Sequence, residues 1–147
     1  MSEPQTLRVL LAQHKSETHR PDAWHICVET GYDGKHFLAT CFYMRGSLVQ
    51  GYQLHVVENV RYRTISSFRG AMNVGRIKLE ELGAFAHYVT TAVQYPRDDR
   101  VPYEPQDWAV AALRRLNARG LLRTLWTREC IEPALHVARE DWEAGDQ

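Results

Sequence analysis

The stretch from Trp24 to Arg45, WHICVETGYDGKHFLATCFYMR, decides how this chain folds. Two runs rich in strand formers, Trp24–Thr30 and His36–Arg45, flank the turn sequence Gly31-Tyr32-Asp33-Gly34 and predict a β-hairpin closed by Gly46. Side chains alternate across a strand. The first arm therefore carries His25, Cys27 and Glu29 on one face and Trp24, Ile26 and Val28 on the other.

Outward from the hairpin, Leu7–Ala12 (LRVLLA) reads as a buried strand joined to it by a polar connection, His14–Asp22, and Gly51–Glu58 (GYQLHVVE) reads as a further strand. Val60–Ile65 and Met72–Ile77 are expected to pair at one edge, with Ser66–Gly70 as the loop between them. The period then changes. Leu82, Phe85, Ala86, Val89 and Val93 share one face of a helix over Leu79–Val93, followed by a charged loop, Tyr95–Tyr103.

Val101–Leu122 (VPYEPQDWAVAALRRLNARGLL) is a proline-punctuated loop entering an amphipathic helix. Pro105 suits the first helical position, because its missing N–H has no partner there in any case. Asp107 adds a carboxylate where the helix end is partially positive. Trp108, Ala109, Ala112, Leu113 and Leu116 form the apolar side, Arg114, Arg115, Asn117 and Arg119 the polar one, and Gly120 the stop. Such a helix either presents a catalytic group at its first turn or caps a core. A short apolar segment, Leu121–Trp126, precedes a last helix over Arg128–Glu143. Strands first and helices after define an α+β domain, an antiparallel sheet with helices packed against it.

The 147 residues suit one domain, with 1–6 and 144–147 expected as frayed tails. Eighteen Lys and Arg balance 18 Asp and Glu, which argues against a nucleic-acid protein held by phosphate contacts. The longest apolar runs are too short to span a bilayer, and MSEPQTLR lacks a charged-then-apolar signal pattern. The expectation is a cytoplasmic protein without membrane or nucleic-acid partners. Cys27, Cys41 and Cys130 are odd in number with no C-x-x-C pair, so buried free thiols are expected.

Any chemistry falls to the histidines. His25 and His36 lie on the two arms of the hairpin, where two imidazoles near a turn can share acid and base work. His55 and His87 read as structural. His25, His36 and His55 with Glu29 lack a close-spaced ligand pair, so no metal and no cofactor is expected. Cys27 shares the face of His25, but residues two apart on a strand do not make a dependable thiol–imidazole pair.

The phrase WHICVETGYDGKHF, with His25 and then His36 after a turn, resembles the histidine strand of the permuted papain-like superfamily, which includes lecithin:retinol acyltransferase-like enzymes and NlpC-type relatives. Glu104-Pro105-Gln106-Asp107-Trp108 is similar to the cysteine motif of that group, at the right place in chain order, and to a Cys-Gln-Asp-Trp segment of small uncharacterised fungal members. The resemblance implies a papain-like cleft in which a first-strand histidine is the base, a second histidine orients it, and a helix N-terminus supplies the nucleophile. Here Pro105 stands where the family has cysteine, and a pyrrolidine ring offers no nucleophilic atom.

Two classes of function remain. One is a small-molecule enzyme of isomerase, cyclase, lyase or hydrolase type, with His25, His36 and Asp107 catalytic and Trp24, Cys27, Gln106 and Trp108 contacting substrate; a thiol hydrolase or acyltransferase using Cys27 is its variant. The other is an inactive relative that binds a small ligand or a protein through the same cleft. A homo-oligomer is compatible with either.

Overall fold

The strand formers of the first half build a five-stranded sheet in the computed structural model, which describes residues 5–16, 22–47, 51–92 and 105–145. The strands are β1 (Thr6–His14), β2 (Ala23–Tyr32), β3 (Phe37–Ser47), β4 (Gly51–Val60) and β5 (Phe68–Lys78). Their order is β4-β3-β2-β1-β5, and every neighbouring pair is antiparallel. The helices are α1 (Leu82–Thr91), α2 (Pro105–Ala118) and α3 (Arg128–Glu143). The architecture is α+β, as the order of elements implied. Among the described residues no helix is long and apolar enough to cross a membrane.

One expected pairing does not form. Met72–Ile77 lies within β5 and pairs with β1, Leu7 opposite Ile77 and Leu11 opposite Met72, so β4 and β5 occupy opposite edges. The connection over residues 61–67 therefore crosses the sheet instead of pairing, and its Tyr62–Thr64 piece is a 3-10 turn. Ser66 and Ser67 end that crossing, while Phe68–Gly70 already belongs to β5 rather than to a loop. β3 runs past Gly46 to Ser47. Gln5 and Thr6, expected within a frayed tail, join the sheet, Thr6 opposite Lys78 and the Gln5 carbonyl accepting from the Leu79 N–H. At the other end the Ala144 N–H still donates to the Glu140 carbonyl. Val93, the loop over 95–103 and the segment 101–104 lie outside the described residues.

Alternation decides which side of the sheet is covered. Leu7, Val9 and Leu11 of β1, Trp24, Ile26 and Val28 of β2, and Phe42 and Met44 of β3 meet Phe85 and Val89 of α1 and Trp108, Ala109, Ala112, Leu113 and Leu116 of α2 in one core. Full burial of each large side chain there is worth roughly 1.5–3 kcal/mol. Gly120, with φ of 78°, ends α2 in the left-handed region, and the Leu121 N–H turns back to the Leu116 carbonyl. A second, smaller cluster lies on the opposite face, where Tyr62 packs over Leu10, Cys27, Ala39, Cys41 and Phe68. The crossing connection, together with Trp142 of α3 against Phe68, thus covers the side that α1 and α2 leave open.

The two edges are treated differently. Along β5, the Trp126 indole N–H donates to the Val74 carbonyl at 2.9 Å, and α3 approaches so closely that a Cβ on Gly70 would stand 2.6 Å from the Ala138 carbonyl oxygen. Gly70, with φ of 99°, is the residue that permits this contact. Along β4 no strand or helix covers the outer edge among the described residues, and Val56 and Val57 are 48% and 40% exposed.

Candidate functional site

The first turn of α2 is a clamp. Gln106 donates from Nε2 to the Asp22 carbonyl at 2.6 Å and accepts from Arg128 at 3.0 Å, and Asp107 accepts from Arg128 Nη2 at 2.7 Å. The same guanidinium lies 5.2 Å over the Trp24 ring. Trp24, Gln106 and Asp107 do come together, but around Arg128 of α3, where they tie two helices to the start of β2. Trp108 points inward, fully buried, its indole N–H on the Val89 carbonyl at 3.3 Å.

His25 faces the other way. Ile26 pairs with Phe42, which puts His25 beside Tyr43, and Tyr43 pairs with His55. The rings form a ladder across four strands: His14 on His25 at 3.9 Å, His25 on Tyr43 at 4.4 Å, Tyr43 on His55 at 5.2 Å, all stacked. Arg45 covers the Tyr43 ring at 5.3 Å. Burial, helped by the neighbouring His14 and Arg45, pushes His25 down to about 2. Burial and the Arg69 charge push His14 down to about 4. Both rings are neutral over the range in which a histidine base works.

His36 is elsewhere again. It lies in the bend before β3, its backbone N–H donating to Asp33 Oδ1 at 2.7 Å, and Arg61 holds Asp33 Oδ2 at 2.6 Å. The backbone N–H donors of His36 and Lys35 hold the Asp33 carboxyl below its ordinary value. His36 and Tyr43, the neighbour of His25 on β3, are seven positions apart, roughly 23 Å of extended chain. The structure therefore brings together neither His25 with His36 nor His25 with the start of α2, because the strand alternation that exposes His25 on one face buries Trp24 under α2 on the other. Cys27, also on the open face, meets Cys41 with its sulfurs 3.2 Å apart; that contact and burial push its thiol well up.

The open face holds a different constellation at its far end. Arg8 lies opposite Arg76, and its Nε donates to Glu29 Oε1. The Tyr62 hydroxyl donates to Glu29 Oε2 at 2.6 Å, and Arg63 Nε reaches that hydroxyl at 3.1 Å. Glu29 is only 7% exposed. The carboxylate raises Arg8 above its ordinary value, and burial with the Glu29 contact raises Tyr62. Arg8 thus stands between Glu29 and Arg76, and neither Arg63 nor Arg76 has a carboxylate partner among the described residues. A cavity of about 370 Å³ opens here, lined by Arg8, Glu29, Arg76 and the rings of Tyr32 and Phe37, which are 59% and 43% exposed. Arg8 also lies 5.3 Å over the Phe37 ring.

No family model, curated protein or solved structure matches the chain. The site rests on its own geometry.

The residues of this constellation, Arg8, Tyr62, Arg63, Arg76, Tyr32 and Phe37, carry no local signature in the sequence. The one signal in the sequence was Glu29, a carboxylate on an otherwise inward-facing row of a strand; its partners come from strands whose order the sequence does not state. Among the described residues no group of three or more His, Cys, Asp or Glu side chains is placed to hold a metal.

Proposed function

We propose that this domain is a binding module for a small anion with a flat apolar body, seated in the Arg8–Arg76 pocket. The observation that carries it is Arg76. A second guanidinium directly opposite Arg8 on the neighbouring strand is unfavourable unless something negative shares it. Glu29 engages Arg8 and Tyr62, which leaves Arg76 and one side of Arg8 turned to the cavity. An oxyanion bridging the two arginines offsets that repulsion, and Tyr32 and Phe37 supply faces for an apolar ring. The volume lies within the range of small-molecule pockets.

An acid–base enzyme using His25, His36 and Asp107 gains no support from their positions, and neither does a permuted papain-like cleft built around Pro105. A nucleophilic Cys27 is equally disfavoured, since a raised, buried thiol is a poor thiolate. The pocket favours ligand binding, but at a place other than the cleft through which an inactive papain-like relative would bind.

Titration of labelled protein with phenyl phosphate, benzoate and inorganic phosphate tests this. The expected result is saturable shifts of the amides of Thr30–Phe37 and Arg76, tighter for phenyl phosphate than for inorganic phosphate, and weakened roughly tenfold or more in Arg76→Gln, as loss of a charged hydrogen bond implies. Absence of saturation with all three probes, or equal affinity in Arg76→Gln, overturns it.

A further inference from the structure

Three cysteines are free, and two of them face each other. Cys27 of β2 and Cys41 of β3 are directly opposed in the antiparallel register, their sulfurs 3.2 Å apart, in the small cluster that Tyr62 covers. Opposed residues of an antiparallel pair have Cα atoms about 4.5 or 5.5 Å apart, and both values fall within the disulfide range. That spacing is compatible with a bond of about 2.05 Å between the two sulfurs. Cys130, by contrast, is exposed on α3 and receives only the Thr127 hydroxyl.

We propose that Cys27 and Cys41 form a modification site, a dithiol that closes to a cross-strand disulfide under hydrogen peroxide. One sulfur, as thiolate, attacks a peroxide oxygen; the O–O bond breaks, hydroxide leaves and takes up the proton released by the thiol, and a sulfenic acid remains. The second sulfur then attacks the first, the S–S bond forms, the S–O bond breaks and water departs. Two thiols and one peroxide give one disulfide and two waters; the sulfurs lose two electrons and the peroxide oxygens gain them. Burial keeps the thiolate scarce, so the reaction is slow in the closed protein and is gated by lifting of the 61–67 connection that carries Tyr62. The bond encloses the hairpin tip, including Tyr32 and Phe37 of the anion pocket, so oxidation restrains the loop that supplies those rings.

The test uses Cys130→Ser, which removes the exposed thiol from outside the pair. After peroxide treatment, intact mass should fall by about 2 Da, the two hydrogens lost. A peptide linking Cys27 to Cys41 should appear, dithiothreitol should restore the mass, and the added variant Cys41→Ser should show no loss. Tyr62→Ala, or dilute urea below the unfolding transition, should speed closure roughly tenfold or more, as expected for a gated site. Stepwise oxygen addition without mass loss overturns the proposal, as does formation of intermolecular dimers only. Thiols that stay free in the folded protein after peroxide treatment overturn it as well, even if refolding in a glutathione redox buffer joins them, and an unchanged rate in Tyr62→Ala overturns the gating.

Discussion

Trp24, Ile26 and Val28 leave β2 on one side and meet helices; His25, Cys27 and Glu29 leave it on the other and meet stacked rings, a second thiol and an arginine. The covered side is held by non-directional apolar contact, in which a missing side chain leaves a void but no orphaned charge. The open side is held by partners that must be present as sets. Removal of one member leaves a buried polar group whose solvation has already been lost. The open side can therefore hold polar groups in place beside a cavity: Arg8 is held by Glu29 and the Phe37 ring while still lining one.

The largest effect expected from a single substitution is on the covered side. Trp108→Ala should cost about 3–5 kcal/mol in urea unfolding, read as a lower midpoint, because the ring is fully buried between α1 and the sheet. A loss under about 1 kcal/mol would mean that the helix layer is not the principal core.

Acid should act on the open side next. His14 and His25 are both held below the ordinary histidine value, so the folded chain binds fewer protons than the unfolded chain once the pH drops below about 6.5. Their contribution is fully present above that pH. It is lost as the pH falls towards about 4 for His14, and on towards about 2 for His25, at up to about 1.4 kcal/mol per pH unit for each ring. Stability measured from pH 7 to pH 4 should therefore decline, and His14→Gln should flatten the slope. An unchanged slope would place the acid sensitivity elsewhere.

Glu29→Leu follows, at about 2–3 kcal/mol, less than a fully buried pair because Arg8 still reaches solvent. Adding Arg8→Leu should return about 1 kcal/mol or more, a non-additivity measurable in a double-mutant cycle. Strict additivity would reduce the Arg8–Glu29 pair to a surface contact.

Much of the covered side could be read in advance, because periodicity is local. The buried set of α2, Trp108, Ala109, Ala112, Leu113 and Leu116, follows from helical spacing, and the two faces of β2 follow from alternation. The limits Arg128–Glu143 of α3 were legible for the same reason. Strand order was not. Nothing within Val60–Ile65 says that its successor lies beside β1, and that one fact turns an expected edge strand into the cover of the open face. Alternation placed His25 on a face but gave neither the face that the helices choose nor the distance to His36 along the ribbon. The Arg8–Glu29–Tyr62 set joins residues 21 and 33 positions apart, and only long-range register assembles it.

The unequal flanks of the sheet govern how copies of this chain can meet. On the β5 side Trp126 takes the Val74 carbonyl and α3 packs against Gly70, while Gly51–Val60 offers its own hydrogen-bonding groups, in a segment without proline, lysine or arginine. Strand-to-strand growth of a fibre requires two free sides per molecule, one to receive and one to pass on. With Trp126 and α3 standing against the β5 side, backbone association through the β4 edge favours a pair of molecules over a growing fibre.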